Sequence, residues 1–415
     1  MKKLMMVCSL AFAAAACAAQ LSLVAPAENA EVPLITEGQK AFMDMPEAAR
    51  REKMTDEAWR KELKAKTGYV PAKVKFAWTG GEEGAKYRIE IRRLPDGKVF
   101  YSGKTHQTEL ELDNFEIART YEWSVKVGKT GKAVKGTFRT EDRAPRFVRL
   151  EGIPNMRDLG GRVGLGGKRV KQGMIYRSAG LNNNANKYYK PDEILKLHKE
   201  GKLLESVPEQ SREAAAKVKK YLDEGKKEKA DLTHLVKKWC PGIDRLNDKT
   251  RAFAKQQFGI KTDLDLRTDR ECYGMTGSPL GPDVKWAHIP SSGYGAMHSD
   301  SGKKPFTQCF KLFLDEANYP IDFHCIAGAD RTGSLAYILN GLLGVSDAEL
   351  LLDWEITAFN NPNPRFAHKD RYDHLVAGFQ KLPGATTAEK VANYVKSVGF
   401  TDADIEKFRA IMLEK

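Results

Sequence analysis

The sequence predicts two domains of different class: an all-β sandwich over residues 20–142, then an α/β domain over 143–415 with a central, mostly parallel sheet flanked by helices. Three observations carry this. Short runs of alternating apolar and polar residues, separated by turn residues, recur between 74 and 138. Strand-like and helix-like runs alternate beyond 145. Between 321 and 343 a buried strand, a loop carrying Cys325 and Arg331, and a buried helix follow one another directly.

The chain has 415 residues, 41% of them hydrophobic, enough for two ordinary domains. Residues 1–19 read as a secretory signal: Lys2 and Lys3, an apolar run from Leu4 to Ala16, then small residues. That run is too short to span a bilayer, and no later run is long enough. Two cleavages fit. One falls among Ala16, Cys17, Ala18 and Ala19 and frees the protein. The other leaves Cys17 as a lipidated, membrane-attaching amino terminus, because 14–17 resembles a lipobox that lacks the usual leucine three residues before the cysteine. The protein is therefore expected to be exported: periplasmic, secreted, or an outer-membrane lipoprotein. The formal net charge of +13 suits anionic substrates, glycans or membrane headgroups. No Lys/Arg cluster interleaves with aromatics, so no nucleic-acid partner is expected. Beyond the leader, Cys240, Cys272, Cys309 and Cys325 have no regular spacing, which indicates neither a disulfide framework nor a zinc site. Cys272 and Cys309 read as buried thiols, with a resolving partner for Cys325 as the alternative.

Residues 21–32 read as a first strand, punctuated by Pro26 and Pro33. A charged helical interlude over 37–66 follows, with Phe42, Met45, Trp59 and Leu63 as its apolar positions; it reads as an insertion in the sandwich. The alternating runs are 74–78, 87–91, 98–101 after the turn at Pro95, Asp96 and Gly97, then 108–112, 120–127 and 134–138. Trp78, Tyr121 and Trp123 resemble a fibronectin type III-like module, where the Tyr121 hydroxyl would close a tyrosine corner; otherwise they are core. Nothing in this half carries catalytic chemistry. A polar linker over 140–145 ends in Pro145.

In the second half, Arg157 and Asp158 flank the start of a strand, where they would pair with each other or brace the site. Residues 182–258 read as a helical insertion. Its apolar positions are Ile194 and Leu197, then Val218, Tyr221 and Leu222, then Leu232, Leu235, Val236 and Trp239. The faces between them carry Lys217, Lys219, Lys220, Lys226, Lys227 and Lys229, either as a cap over a pocket or as solvated helix surface. Residues 259–267 read as a central strand ending in Asp265 and Arg267, with Glu271 four residues on; charges at the carboxyl end of such a strand lie near the ligand crevice. Residues 284–290 form another strand. Ser346 and Glu349 make a capping box opening 350–357; Thr386, with Thr387 as the alternative cap, precedes 391–398; a last helix runs over 402–413.

The stretch 323–333 organises the domain. Ile321 and Phe323 suit a buried strand, and 334–343 has the apolar density of a buried helix. A loop between strand and helix points successive N–H groups into one concavity, which binds a dianion such as phosphate. The same field favours a thiolate, so Cys325 is a candidate nucleophile. Arg331 can fork two N–H groups onto phosphate oxygens, and Gly328 and Gly333 allow close backbone approach.

His324 and Cys325, five residues, then Arg331, Thr332 and Gly333 resemble the signature of the cysteine-dependent phosphatases, the protein tyrosine phosphatase superfamily. The form over 327–333 looks like the bacterial branch of secreted tyrosine and lipid phosphatases. Residues 155–161, 173–178 and the set Asp265, Arg267 and Glu271 resemble that branch in the expected order, so the likeness covers 145–415 apart from the insertion. A rhodanese also holds a cysteine before a helix, but His324, Thr332 and Gly333 favour the phosphatase. The resemblance implies that Cys325 attacks phosphorus and forms a phosphocysteine. Arg331 and the N–H groups of Ile326, Ala327, Gly328, Ala329, Asp330 and Arg331 would hold the phosphate. Asp330 would protonate the leaving group, His324 would orient the loop, and Thr332 would hydrogen-bond Cys325. No metal or cofactor is implied, because the loop supplies the positive charge. Eukaryotic relatives take their acid from a mobile loop near the position of Pro290. Here Ser291, Ser292 and Gly293 follow it and the nearest aspartate is Asp300, which moves the role to Asp330. The implied substrate is a phosphotyrosine peptide, with a phosphoinositide or inositol polyphosphate as the alternative. Some relatives carry a lysine where this chain has Ala329, which favours phosphotyrosine. A catalytically silent adhesion or scaffold protein is the alternative of another class.

Overall fold

The computed structural model describes residues 19–67, 69–182, 190–207, 212–226, 232, 246–269, 271–272, 275–359 and 371–415. The signal segment with Cys17, and Lys227, Lys229, Leu235, Val236, Trp239 and Cys240, lie outside the described residues. The chain forms two compact units. One takes the chain to Val32 with Val74–Leu112 and Arg119–Arg139; the other takes Pro33–Lys73, Asp113–Ala118 and Thr140–Lys415.

In the first unit, β1 (Ala19–Ala25), β3 (Val74–Gly81) and β6 (Glu109–Leu112) form a sheet in the order β1-β3-β6. A second sheet has the order β2-β8-β7-β4-β5, from β2 (Ala30–Val32), β4 (Tyr87–Leu94), β5 (Val99–Thr105), β7 (Thr120–Val127) and β8 (Val134–Thr140). Period-two alternation turns Val74, Phe76 and Trp78 inward from one sheet and Tyr121, Trp123 and Val125 from the other. The Phe76 ring meets Trp123 at 5.2 Å and Phe138 at 5.5 Å, and Tyr121 stacks on Phe138. Trp78, Tyr121 and Trp123 are therefore core residues. The run 21–32 is two strands rather than one: the turn between them, with Asn29 at φ 59°, carries the chain from one sheet to the other.

The second unit is built on β9 (Arg157–Asp158), β10 (Ile175–Ser178), β11 (Thr262–Asp265), β12 (Lys285–His288) and β13 (Ile321–His324), in the order β12-β11-β13-β10-β9. The first four strands are parallel and β9 is antiparallel to β10. Their register brings His288, Asp265, His324 and Ser178 into one row at the carboxyl ends, where open α/β sheets bind ligands. One face, through Ile175, Leu264 and Phe323, joins the main hydrophobic core. That core includes α7 (Asp300–Phe313) and α8 (Arg331–Leu342), reached after α1 (Glu37–Met43), α2 (Glu47–Thr55), α3 (Glu57–Thr67), α4 (Pro191–Lys199), α5 (Arg212–Asp223) and α6 (Asp248–Gln257). All of Thr332–Leu342 is buried, which explains why α8 is apolar on every side. The other sheet face carries Tyr176, packed on Phe258, and the polar row Asp263, Asp265, Asp322 and His324.

Further on come α9 (Asp347–Glu355), α10 (Tyr372–Gln380), α11 (Thr387–Ser397) and α12 (Asp402–Met412). Ser346 caps α9, and Thr386, not Thr387, caps α11 with Glu389 in a reciprocal box. Among the described residues, α7 and α10 lie outside the runs that the sequence marks as helical. In α7 the buried Phe306, Cys309, Phe310 and Phe313 recur at helical spacing, a signal masked by Gly302 and Pro305. In α10 the signal is short.

The interlude 37–66 is helical but belongs to the second unit, which corrects the expected insertion in the sandwich. Leu352, Ile356, Ala358 and Phe359 leave an apolar stripe there, and Phe42, Met43 and Met54 cover it. Phe42 meets Phe359 at 5.1 Å, and Arg50 Nε donates to buried Glu355 at 2.5 Å. Burial raises the Glu355 pKa to about 7 even though Arg50 pulls it down. Its folded pKa lies above the unfolded value, so its contribution to stability falls as pH rises towards 7. Arg50→Ala removes the partner, so the carboxylate becomes buried and unpaired. We expect a loss of about 3 kcal/mol at about pH 8 and a smaller loss at about pH 5.5, read by urea denaturation.

In the insertion, Ile194, Leu203, Val218, Leu222 and Leu232 form a small core of their own. Lys217 pairs with Glu213, Lys219 with Asp223 and Lys226 with Glu224, all exposed, as on a solvated helix surface. Among the described residues no helix is long and apolar enough to cross a membrane.

Candidate active site

β13 ends at His324 and α8 begins at Arg331, so residues 325–330 form the loop between them. Every carbonyl of this loop accepts a hydrogen bond or ring contact from the surrounding protein. Cys325 O meets His324 Nδ1 at 3.2 Å, and Ile326 O accepts from Gly180 N at 3.0 Å. Asn155 Nδ2 donates to Ala327 O at 3.1 Å and Gly328 O at 3.0 Å, and Arg177 Nη2 donates to Gly328 O at 2.7 Å. Ala329 O and Asp330 O accept from Gly333 and Ser334 of α8. In a trans peptide the N–H points opposite to the C=O. With the carbonyls of 325–330 engaged by the surrounding protein, this geometry turns the N–H groups of 326–331 to the opposite side, into the ring.

Cys325 lies at the head of this ring, 3% exposed. Burial opposes a thiolate there. Hydrogen bonding from Thr332, the Arg331 charge and the N–H groups of Thr332 and Ala329 outweigh it, so the pKa falls below the ordinary thiol value. Among the described residues the buried Thr332 hydroxyl has no nitrogen or oxygen partner, so its proton is available to the sulfur.

Arg331 is held by Glu271 through a fork: Nη1 to Oε2 at 2.5 Å and Nη2 to Oε1 at 3.0 Å. Glu271 in turn accepts from Thr268 N at 2.8 Å. Burial pushes the Glu271 carboxyl up, but Arg331 and Thr268 bring it below its usual range. The cation is thus oriented before any ligand arrives. Beneath the loop, His324 Nε2 lies 2.8 Å from Asp263 Oδ1, and Nδ1 lies 3.8 Å from Asp265. Burial lowers the His324 pKa, but these two carboxylates more than offset it and raise it to about 9, so the ring is an imidazolium at neutral pH. Arg267 forks onto Asp265 at 2.8 and 2.6 Å and reaches Asn182 at 2.6 Å. Asp265 thus lies beside His324, Arg267 on Asp265, and Glu271 on Arg331.

Asp330 precedes α8 and is half-buried, and its carboxylate makes no capping hydrogen bond to that helix. The chain after Pro290 lies against the same helix start: Tyr294 N donates to Ser334 Oγ at 2.8 Å, and a Cβ on Gly293 would stand 3.2 Å from Arg331 N. Asp300 is exposed at the first position of α7. Ala329 is buried, whereas Ile326 is 44% exposed beside Cys325.

Asp158 does not pair with Arg157 and does not reach the loop. Neighbouring strand residues point to opposite faces, so Asp158 meets Arg146 at 2.8 Å and the N–H groups of Gly160 and Gly173. Arg157 instead donates to Asp353 Oδ1 at 2.8 Å and to Asn155 Oδ1 at 2.7 Å. The residues missed from sequence are Asn155, Arg177 and Asp353. The first two lie inside the motifs at 155–161 and 173–178; Asp353, in α9, carries no local signal. Cys272 donates to Asp265 at 3.3 Å, and burial and Asp265 push its pKa far up; Cys309 is buried and pushed up to about 12. Both are free thiols without thiolate character at neutral pH.

A buried cysteine with a lowered pKa at the amino end of a helix, with an oriented arginine beside it, is an arrangement that can bind an oxyanion. The chain belongs to the tyrosine phosphatase family, whose sequence model matches residues 148–191 and 240–414. That match passes over 192–239, inside the helical insertion. A tyrosine-protein phosphatase from Nostoc commune is 28% identical over 153 residues, 32% of this chain and 51% of that protein. The chain thus spans about half the length of this curated relative. The core catalytic domain of the PP-IP phosphatase SIW14 from S. cerevisiae, in complex with citrate, is 18% identical, with a TM-score of 0.23 over 36% of this chain and 76% of that one. A second structure of the Siw14 catalytic core is 18% identical, with a TM-score of 0.24 over 32% and 73%.

One prediction follows from the loop geometry. Gly328 has φ 64°, and a Cβ there would stand 2.3 Å from the Ser178 carbonyl oxygen. Gly328→Ala must displace the loop, and hydrolysis of an aryl phosphate should fall about 100-fold. Steady-state kinetics checks this, with a melting curve to show that the fold survives.

Proposed function

We propose that the protein hydrolyses phosphomonoesters through a phosphocysteine intermediate and acts most readily on phosphotyrosine. The observation that carries this is Cys325, its thiol pKa lowered, at the head of the strand-to-helix loop, with Arg331 pre-oriented by Glu271. Cys325 Sγ attacks phosphorus in line as the bond to the leaving oxygen breaks, and Asp330 gives that oxygen its proton. Asp330 then takes a proton from water, which attacks phosphorus, releases phosphate and returns the thiolate. His324 holds the loop through Cys325 O.

Three features support phosphotyrosine. The family and the Nostoc relative carry that description. Exposed Ile326 offers apolar contact to an aromatic ring. Ala329 is buried and brings no cation to the loop. The net charge of +13 favours a polyanionic inositol phosphate, which is the alternative. A silent scaffold fits less well, since Cys325, Asp330 and Arg331 are all retained. Assay of phosphotyrosine peptide, phosphoinositide and inositol hexakisphosphate side by side tests the ranking. We expect kcat/KM for the peptide to exceed the others at least about tenfold, and a faster inositol hexakisphosphate reaction overturns it.

We also propose export on the strength of residues 1–19, with Cys17 lipidation as one processed form and a fibronectin type III-like role for the sandwich. Mass spectrometry of the processed amino terminus separates a lipidated Cys17 from a soluble product.

A further inference from the structure

Asp353 lies in α9, outside every motif of the loop, yet it is the hub of the contacts behind it. Its buried carboxylate takes Arg157 Nε and Arg162 Nη2 at 2.8 Å on Oδ1, and Arg177 Nη1 on Oδ2. Burial pushes the carboxyl up, but the three guanidinium groups hold it far below the usual range, so it is ionised. Two of these arginines lead to the loop. Arg177 uses its other amino group on Gly328 O, and Arg157 fixes Asn155, whose amide donates to Ala327 O and Gly328 O.

The carbonyls at 327 and 328 are held outward by side chains from distant parts of the chain, Asn155 and Arg177. Gly328, at φ 64°, sits where a peptide can rotate with little steric cost. Rotating either peptide would turn an oxygen toward the ring and remove an N–H donor from it. We propose that Asp353 is a positioning residue for this site: through Arg177 and through Arg157 and Asn155 it keeps the Ala327 and Gly328 carbonyls outward and the donors inward. The proposal rests on the reading of the loop as the phosphate-binding, thiolate-bearing site.

Charge and position predict opposite signs. Asp353→Asn removes one negative charge from the neighbourhood of Cys325, which by charge alone favours the thiolate. Loss of positioning removes ring donors and disfavours it. The test uses the full chain and measures the pH dependence of Cys325 alkylation by iodoacetate, inhibition by inorganic phosphate, and kcat/KM on an aryl phosphate. We expect the alkylation midpoint of Asp353→Asn to rise by about one pH unit, a tenfold loss of thiolate at low pH. Phosphate should inhibit more weakly, and kcat/KM should fall about 100-fold. A midpoint that falls or stays at the wild-type value, with or without a lower melting temperature, overturns the proposal. If Asp353→Asn does not fold, Asn155→Ala carries the test, since it removes the two bonds from Asn155 to the loop and leaves the arginines on Asp353 and Arg177 on Gly328 O; we expect a smaller rise in the midpoint, and an unchanged midpoint and turnover there overturn the proposal equally. Wild-type protein with neither a low alkylation midpoint nor turnover overturns the functional reading itself, whereas active wild type beside an unaffected variant overturns only the role of Asp353.

Discussion

Cys325→Ser should abolish turnover, by roughly 10⁴-fold or more, while leaving phosphate binding nearly intact. The serine hydroxyl is smaller than the thiol and fits the same buried place. The donors are mostly backbone N–H groups, fixed by contacts that do not involve the sulfur. What is lost is the anion. Thr332, Arg331 and the ring N–H groups bring a thiol below its ordinary pKa against the cost of burial, but a hydroxyl starts far too high for the same field to ionise it at neutral pH. The same shift fixes the pH dependence of the wild type: alkylation of Cys325 should reach its plateau below the pH where an ordinary thiol does. A serine variant that hydrolyses an aryl phosphate at near the wild-type rate removes Cys325 from the chemistry.

Asp330→Asn should slow phosphotyrosine cleavage by about 100-fold or more and cleavage of an activated nitrophenyl phosphate much less. A leaving oxygen with a high pKa needs a proton as its bond to phosphorus breaks; a nitrophenolate hardly does. The opposing account makes Asp330 a cap for α8, in which case asparagine would preserve much of the effect and both substrates would fall by a similar small factor. The missing capping hydrogen bond weighs against that account. The limb of the pH profile that belongs to the acid should flatten in the variant. Asp300→Asn is the comparison. Asp300 is exposed at the start of α7, and a leaving-group-dependent loss there but not at Asp330 would move the acid to a separate loop.

The strand-loop-helix form of the site was legible because it is written in consecutive residues. The strand ending at His324, the helix starting at Arg331 and the turn at Gly328 follow from apolar density and backbone freedom, which act over a few residues. The sandwich strands were legible for the same reason: period-two alternation is a local signal, and β7 spans the same residues in sequence and structure. Supports at strand ends were partly legible. Asp265, Arg267 and Glu271 lie close in sequence to one another, and the sheet register brings them beside His324 and Arg331.

By itself, then, the sequence determined the class of each unit and singled out Cys325, its loop and Arg331 as the candidate site, because each depends on spacing within one segment. Only the tertiary structure decided what holds the loop in shape and where the interlude 37–66 packs. Arg157 and Asp353 are 196 residues apart, and Arg50 and Glu355 are 305 apart. The second pair meets because apolar burial brings α1–α3 and α9 to the same core, and in both pairs a buried charge must find a partner. Neither partner marks the other in its own neighbourhood, which is why Arg157 and Asp158 read as a mutual pair or as braces for the site until the strand's alternation sent the two side chains to opposite faces.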